Sequence, residues 1–134
     1  MSTYAILDFT GDALDPDKLA QVLTTKPTLS KRKGDRVGSS PQFGTAFART
    51  GYCGFSTRES VHSDDMADHV RFLLDEIVKH RPAIDSIMAE DKLAWEITCF
   101  FDSPEKTDAD LDGDTLKRAR ATGIRIITES WGTP

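Results

Sequence analysis

The sequence predicts an α+β domain: a mostly antiparallel sheet with helices packed on one face, in a ferredoxin-like or related two-layer sandwich. Three observations predict it. Tyr4–Thr10 and Leu93–Asp102 alternate apolar and polar residues, the period-two pattern of strands. Three other stretches carry helical apolar spacing with recognisable start or stop signals. The resulting order is strand, helix, strand or hairpin, long helix, strand, helix, strand, and covering one sheet face with those helices buries both sets of apolar residues.

In the first strand Ala5, Leu7 and Phe9 share one face and Tyr4, Ile6 and Asp8 the other, until Gly11-Asp12 breaks the pattern. Asp15 then N-caps a helix with Pro16 in its first position, where the missing N–H has no partner to lose. Leu14 and Leu19 have the spacing of a hydrophobic staple, and Leu19, Val22 and Leu23 form the buried stripe. Thr24 to Pro27 end that helix. Residues 28–44, rich in glycine and serine with Pro41, predict a long loop with a short strand near Ser30 to Lys33. Thr45 to Arg58 predicts a strand or hairpin in which a glycine marks a bulge or a close backbone approach. Ser63 is the expected cap of the long helix, with Asp64 and Asp65 complementing its dipole. Met66, Val70, Leu73, Leu74, Ile77 and Val78 make its apolar face. Pro82 kinks or restarts the helix, which runs to about Glu90. Leu93 to Asp102 is the clearest strand. Leu116 and Ala119 belong to a short helix, Gly123 is its left-handed C-cap, and Ile124 to Trp131 is a closing strand.

The 134 residues fit one domain, with 38% hydrophobic and 29% charged residues. No apolar run has the length of a membrane helix, and MSTYAILDF lacks a basic leader, so a cytoplasmic location without membrane contact is expected. The net charge of −5 argues against a dedicated nucleic-acid binder. Cys53 and Cys99 lie in apolar stretches without CxxC spacing and predict buried thiols. Charge is nonetheless uneven. Lys26, Lys31, Arg32, Lys33 and Arg36 gather with only Asp35 opposing them.

Gly11-Asp12, the helix Leu14-Asp15-Pro16 to Leu23, and Lys26-Pro27-Thr28 running into Lys33-Gly34-Asp35 resemble the DUF4279 family. The glycine-rich strand Gly51 to Thr57, the helix from Met66 and the Leu116 to Ile126 helix-glycine-strand unit do so too. The resemblance covers nearly the whole chain, 1–134 as a single α+β domain. It implies a small bacterial protein of unassigned activity, and it transfers a fold but no catalytic residue or cofactor. Family members often carry an aromatic just before the Lys-Gly-Asp and a Gly-Trp after it. Here those places hold Arg32 and Gly54-Phe55, so no paired aromatic platform carries over.

Candidate chemistry is sparse. Asp108, Asp110 and Asp112 with Gly113 begin the pattern of a calcium loop, but Ala119 stands where the bidentate glutamate belongs. The alternative makes Asp112 the N-cap of the following helix, with Leu111 stapled onto Leu116. His62, Asp65 and His69 could form a Zn²⁺ or Mn²⁺ triad, against which a helix-capping Asp already has a structural reason. Cys53 has no flanking signature of a nucleophile. The basic loop at 26–36 remains: Lys31, Arg32 and Lys33 beside Gly34 and Asp35 can offer charge and backbone N–H groups to an anion or a protein. A solvated polar turn is the plainer reading.

The expectation is therefore a non-enzymatic binding or protein-interaction module, of bacterial immunity or accessory type, with Lys31, Arg32, Lys33 and Asp35 as contact residues. It has no catalytic set, metal or cofactor. The first alternative is a protein or enzyme that takes a small anionic ligand on the same loop, with Asp8 or Asp35 as acid–base group. The second is the weak calcium loop at 108–113. A sheet edge can pair across a two-fold axis, which admits a homodimer.

Overall fold

The computed structural model describes residues 3–23, 26–42, 44–101 and 111–130. Its elements run β1 (Tyr4–Gly11), α1 (Pro16–Leu23), β2 (Leu29–Lys31), β3 (Arg36–Ser40), β4 (Gly44–Phe47), β5 (Gly51–Ser56), α2 (Met66–Lys79), α3 (Arg81–Asp91), β6 (Ala94–Phe101), α4 (Gly113–Thr122) and β7 (Arg125–Ser130). A five-stranded sheet has the order β2-β5-β1-β6-β7, and β3 and β4 form a two-stranded sheet. The α+β class stands. The larger sheet is mixed: β2 pairs antiparallel with β5, whereas β6 and β7 are parallel. Parallel neighbours need a crossover, and α4 supplies it.

Two units share these elements. One comprises residues 1–8, 55–79 and 95–134. Its core includes Ala5 and Leu7 of β1, Val70, Leu74 and Ile77 of α2, and Ile97, Cys99 and Phe101 of β6. Val78, expected on the apolar face of α2, is 59% exposed, because that face is completed by Ala67 and His69 instead. The cap of α2 also lies two residues later than the sequence suggests. Asp65 Oδ1 accepts the Ala67 N–H at 3.1 Å, while Ser63 accepts the Asp65 N–H and donates to Asp68. Asp112 caps α4 as expected, accepting the Thr115 N–H at 2.7 Å, and Gly123 closes it at φ 81°.

The other unit comprises residues 9–54 and 80–94. Asp15 caps α1 by accepting the Asp17 N–H, and Leu14 and Leu19 are both buried, as the staple requires. α1 packs on α3, which restarts at Arg81 with Pro82 in its first turn. The segment read as a long loop is a β-ribbon. Lys31 faces Tyr52 and Arg36 faces Phe47 in the same register. Between those pairs, Gly34 N–H donates to Ala48 C=O and Ala48 N–H to Asp35 C=O. The register shifts by one residue at Val37, a bulge of the kind that bends and twists a strand pair. Every residue of β4 is exposed, and so are Arg36, Val37 and Gly38.

Candidate functional site

The motif Lys33-Gly34-Asp35 builds a turn. Asp35 N–H donates to Arg32 C=O at 3.0 Å, and Asp35 Oδ2 accepts the Arg32 N–H at 2.7 Å. Gly34 has φ 90°, the positive value that the third position of a type II turn demands. The turn is tied to the start of α1. Arg32 Nη2 lies 2.9 Å from Asp15 Oδ1 and 3.0 Å from Asp17 Oδ2, and Lys33 Nζ lies 3.3 Å from Asp12 Oδ2. Hydrogen bonds from Thr50 and Lys33 hold the Asp12 carboxyl below its ordinary range. Exposed pairs of this type add little stability. Their effect here is to occupy the cations of Arg32 and Lys33 with internal carboxylates.

Lys31 points elsewhere. It lines an open groove of about 390 Å³ together with Leu29, Val37, Phe47, Arg49 and Tyr52. Leu29 and Lys31 are two apart on β2, hence on one face, and Tyr52 stands opposite Lys31 on β5. The bulged ribbon brings Val37 and Phe47 to the same groove. Leu29, Val37 and Phe47 are 52%, 43% and 59% exposed, so three of the four exposed large hydrophobics among the described residues meet here. Among those residues no carboxylate pairs with Lys31, Arg36 or Arg49. Phe55 is buried and contributes no surface.

The other candidates are absorbed by structure. His69 is fully buried, with Nε2 2.8 Å from Ser63 C=O and Nδ1 2.6 Å from Thr57 Oγ1. A carbonyl only accepts, so Nε2 donates to Ser63, and Nδ1 shares a hydrogen bond with the Thr57 hydroxyl. Thr57 Oγ1 in turn accepts the Ala5 N–H at 3.0 Å. Both ring nitrogens are thus used within the fold and Asp65 Oδ1 caps its helix, so His69 is not available to a His62–Asp65–His69 triad. Among the described residues no cluster of three metal-ligating side chains occurs. Asp108 and Asp110 lie outside the described residues; Asp112 binds Thr115 and, at 2.7 Å, Arg71, and these bonds hold its carboxyl below the ordinary range. Burial pushes the Cys53 thiol up to about 12, far from a nucleophilic thiolate. Asp8 is buried and accepts the Thr98 hydroxyl at 2.7 Å, and Asp35 is engaged in its turn.

Sequence reading missed the groove, the Ala5–Thr57–His69–Ser63 relay, and a stack in which Tyr4 lies 4.8 Å from Phe100 with Arg58 4.2 Å above its other side. The groove had one usable signal: residues 36–50 contain arginines and apolar residues but no carboxylate.

No helix among the described residues is long and apolar enough to cross a membrane. No curated protein and no solved structure matches the chain. The model of the domain of unknown function DUF4279 matches residues 1–131, and the chain belongs to that family.

Proposed function

We propose that this member of the family is a non-enzymatic binding module whose contact surface is the groove beneath the β3–β4 ribbon. The convergence of Leu29, Val37 and Phe47 on one open cleft carries the reading. Exposed apolar side chains gathered in one place mark contact surfaces, whereas scattered ones do not. Lys31 and Arg49 add charge that no carboxylate among the described residues pairs with. Arg32, Lys33 and Asp35 shape the turn that sets the ribbon's course. Catalysis is not favoured, since the one hydroxyl–imidazole pair described, Thr57 with His69, is fully buried. A cytoplasmic bacterial role of immunity or accessory type belongs to this reading, as does a homodimer through a sheet edge.

Affinity capture tests it with wild-type and Phe47→Glu baits. Partners retained by the wild type and lost from Phe47→Glu, while an Arg32→Ala bait keeps them, are expected. An empty wild-type bait, or identical sets on all baits, overturns the reading. A second reading draws on Lys31 and Arg49 flanking Tyr52: a small aromatic or phosphorylated anion bound in the groove. Stabilisation by phosphate, nucleotides or small acids in a thermal-shift screen, lost in Lys31→Ala, would favour it.

A further inference from the structure

Resting on the groove reading, we infer that its occupant is an extended acidic segment of a partner protein, anchored by apolar side chains. Charge makes the first argument. Residues 36–50 hold Arg36 and Arg49 and no Asp or Glu, in a chain of net charge −5. Lys31 and Arg49 line the groove itself, and Arg36 stands opposite Phe47 on the ribbon. The adjoining Arg32 and Lys33 are occupied by Asp15, Asp17 and Asp12, so they do not compete for an external carboxylate. Complementary charge of this kind sets partner choice and encounter rate.

Shape makes the second. The groove is an open trough bounded by β2, which is an edge strand of the larger sheet, and by a ribbon in which all of β4 and Arg36, Val37 and Gly38 are exposed. A two-stranded ribbon unsupported on its faces is marginal in water, and a segment laid along it supplies the missing cover. An extended chain sends alternate side chains to one face, which suits apolar anchors spaced to meet Leu29 and Phe47. A second copy docked groove to groove would set Lys31 and Arg49 against themselves. Nucleic acid would leave the apolar walls without complement.

The test is display selection of short random peptides on the intact chain, with affinities of the enriched peptides measured by fluorescence anisotropy. The expected peptides combine Asp or Glu with aromatic or branched aliphatic residues. Their affinity falls roughly tenfold or more in the Lys31→Glu/Arg49→Glu double variant and in Phe47→Ala, and weakens as salt rises. Arg32→Ala/Lys33→Ala leaves it unchanged, and thermal melts confirm that each variant is folded. Enrichment of basic or uncharged peptides overturns the inference, as do affinities indifferent to charge reversal and tighter binding of a single-stranded oligonucleotide. Self-association abolished by the same double variant assigns the groove to a second copy and overturns it too. If affinity capture shows Phe47-dependent partners but selection yields no acidic peptide, the groove reading stands and this inference alone fails.

Discussion

At the residue scale Thr57 is held on three sides: its hydroxyl accepts from Ala5 N–H and shares a hydrogen bond with His69 Nδ1, and its own N–H returns to Ala5 C=O at 2.9 Å. Removing its hydroxyl strands two buried polar groups at once, the Ala5 N–H and His69 Nδ1. Thr57→Val is expected to cost about 2–3 kcal/mol in urea unfolding, and Thr57→Ser markedly less, since the hydroxyl survives. A Val variant as stable as wild type would show that the relay is dispensable. Cys53 makes a pH-dependent prediction. Its folded value is raised to about 12 from 9.0, so between those values the unfolded chain sheds a proton that the folded chain keeps. Stability from this group is intact below pH 9 and declines as pH rises, by about 1.4 kcal/mol per pH unit. Comparing the alkaline slopes of wild type and Cys53→Ala isolates it, and a thiol reagent should label Cys53 only on unfolding. Residues such as Asp15, Asp112 and Gly123 were legible in the sequence because capping is local chemistry. Thr57 with His69 was not, since nothing in a one-dimensional pattern pairs a hydroxyl after one strand with an imidazole on the next helix.

Among the elements, strands and helices that bury one face announced themselves through periodicity. The β3–β4 ribbon did not, because residues exposed on both faces need no alternation, and Gly, Ser and Pro read as loop. The placement of the α2 cap failed for a related reason: Ser63, Asp64 and Asp65 are all competent, and only the backbone's course selects Asp65. A glycine at a bulge or a close backbone approach was expected between Thr45 and Arg58, and Gly51 stands at a close approach. A Cβ there would sit 2.7 Å from Gly11 C=O and 2.8 Å from Leu14 Cβ, so β5 and the end of β1 could not keep their spacing. Gly51→Ala is expected to lower stability by about 1–3 kcal/mol, whereas Gly38→Ala, with nothing within 4 Å, should change it by about 0.5 kcal/mol or less. Equal melting temperatures for the two variants would contradict this account of β5.

For the whole molecule, the fold class was readable because the order of elements nearly dictates it. Even the parallel β6–β7 pair follows from a helix intervening between two strands. The groove was hardly readable beyond its missing carboxylates, because Leu29, Val37, Phe47 and Tyr52 come from four separate strands whose pairing no local pattern specifies. Excising Arg36–Phe47 and joining Asp35 to Ala48 through a short turn is expected to leave unfolding stability within about 1 kcal/mol of wild type while abolishing groove-dependent binding. Collapse of the fold on excision would mean that the ribbon is structural. The junction itself makes such surgery feasible, since Ala48 N–H already meets Asp35 C=O at 2.7 Å. Two chain ends fastened side by side act as a socket. Were the proposed contact surface real, hairpins of other lengths and compositions spliced into it would vary what is bound while the scaffold stays put.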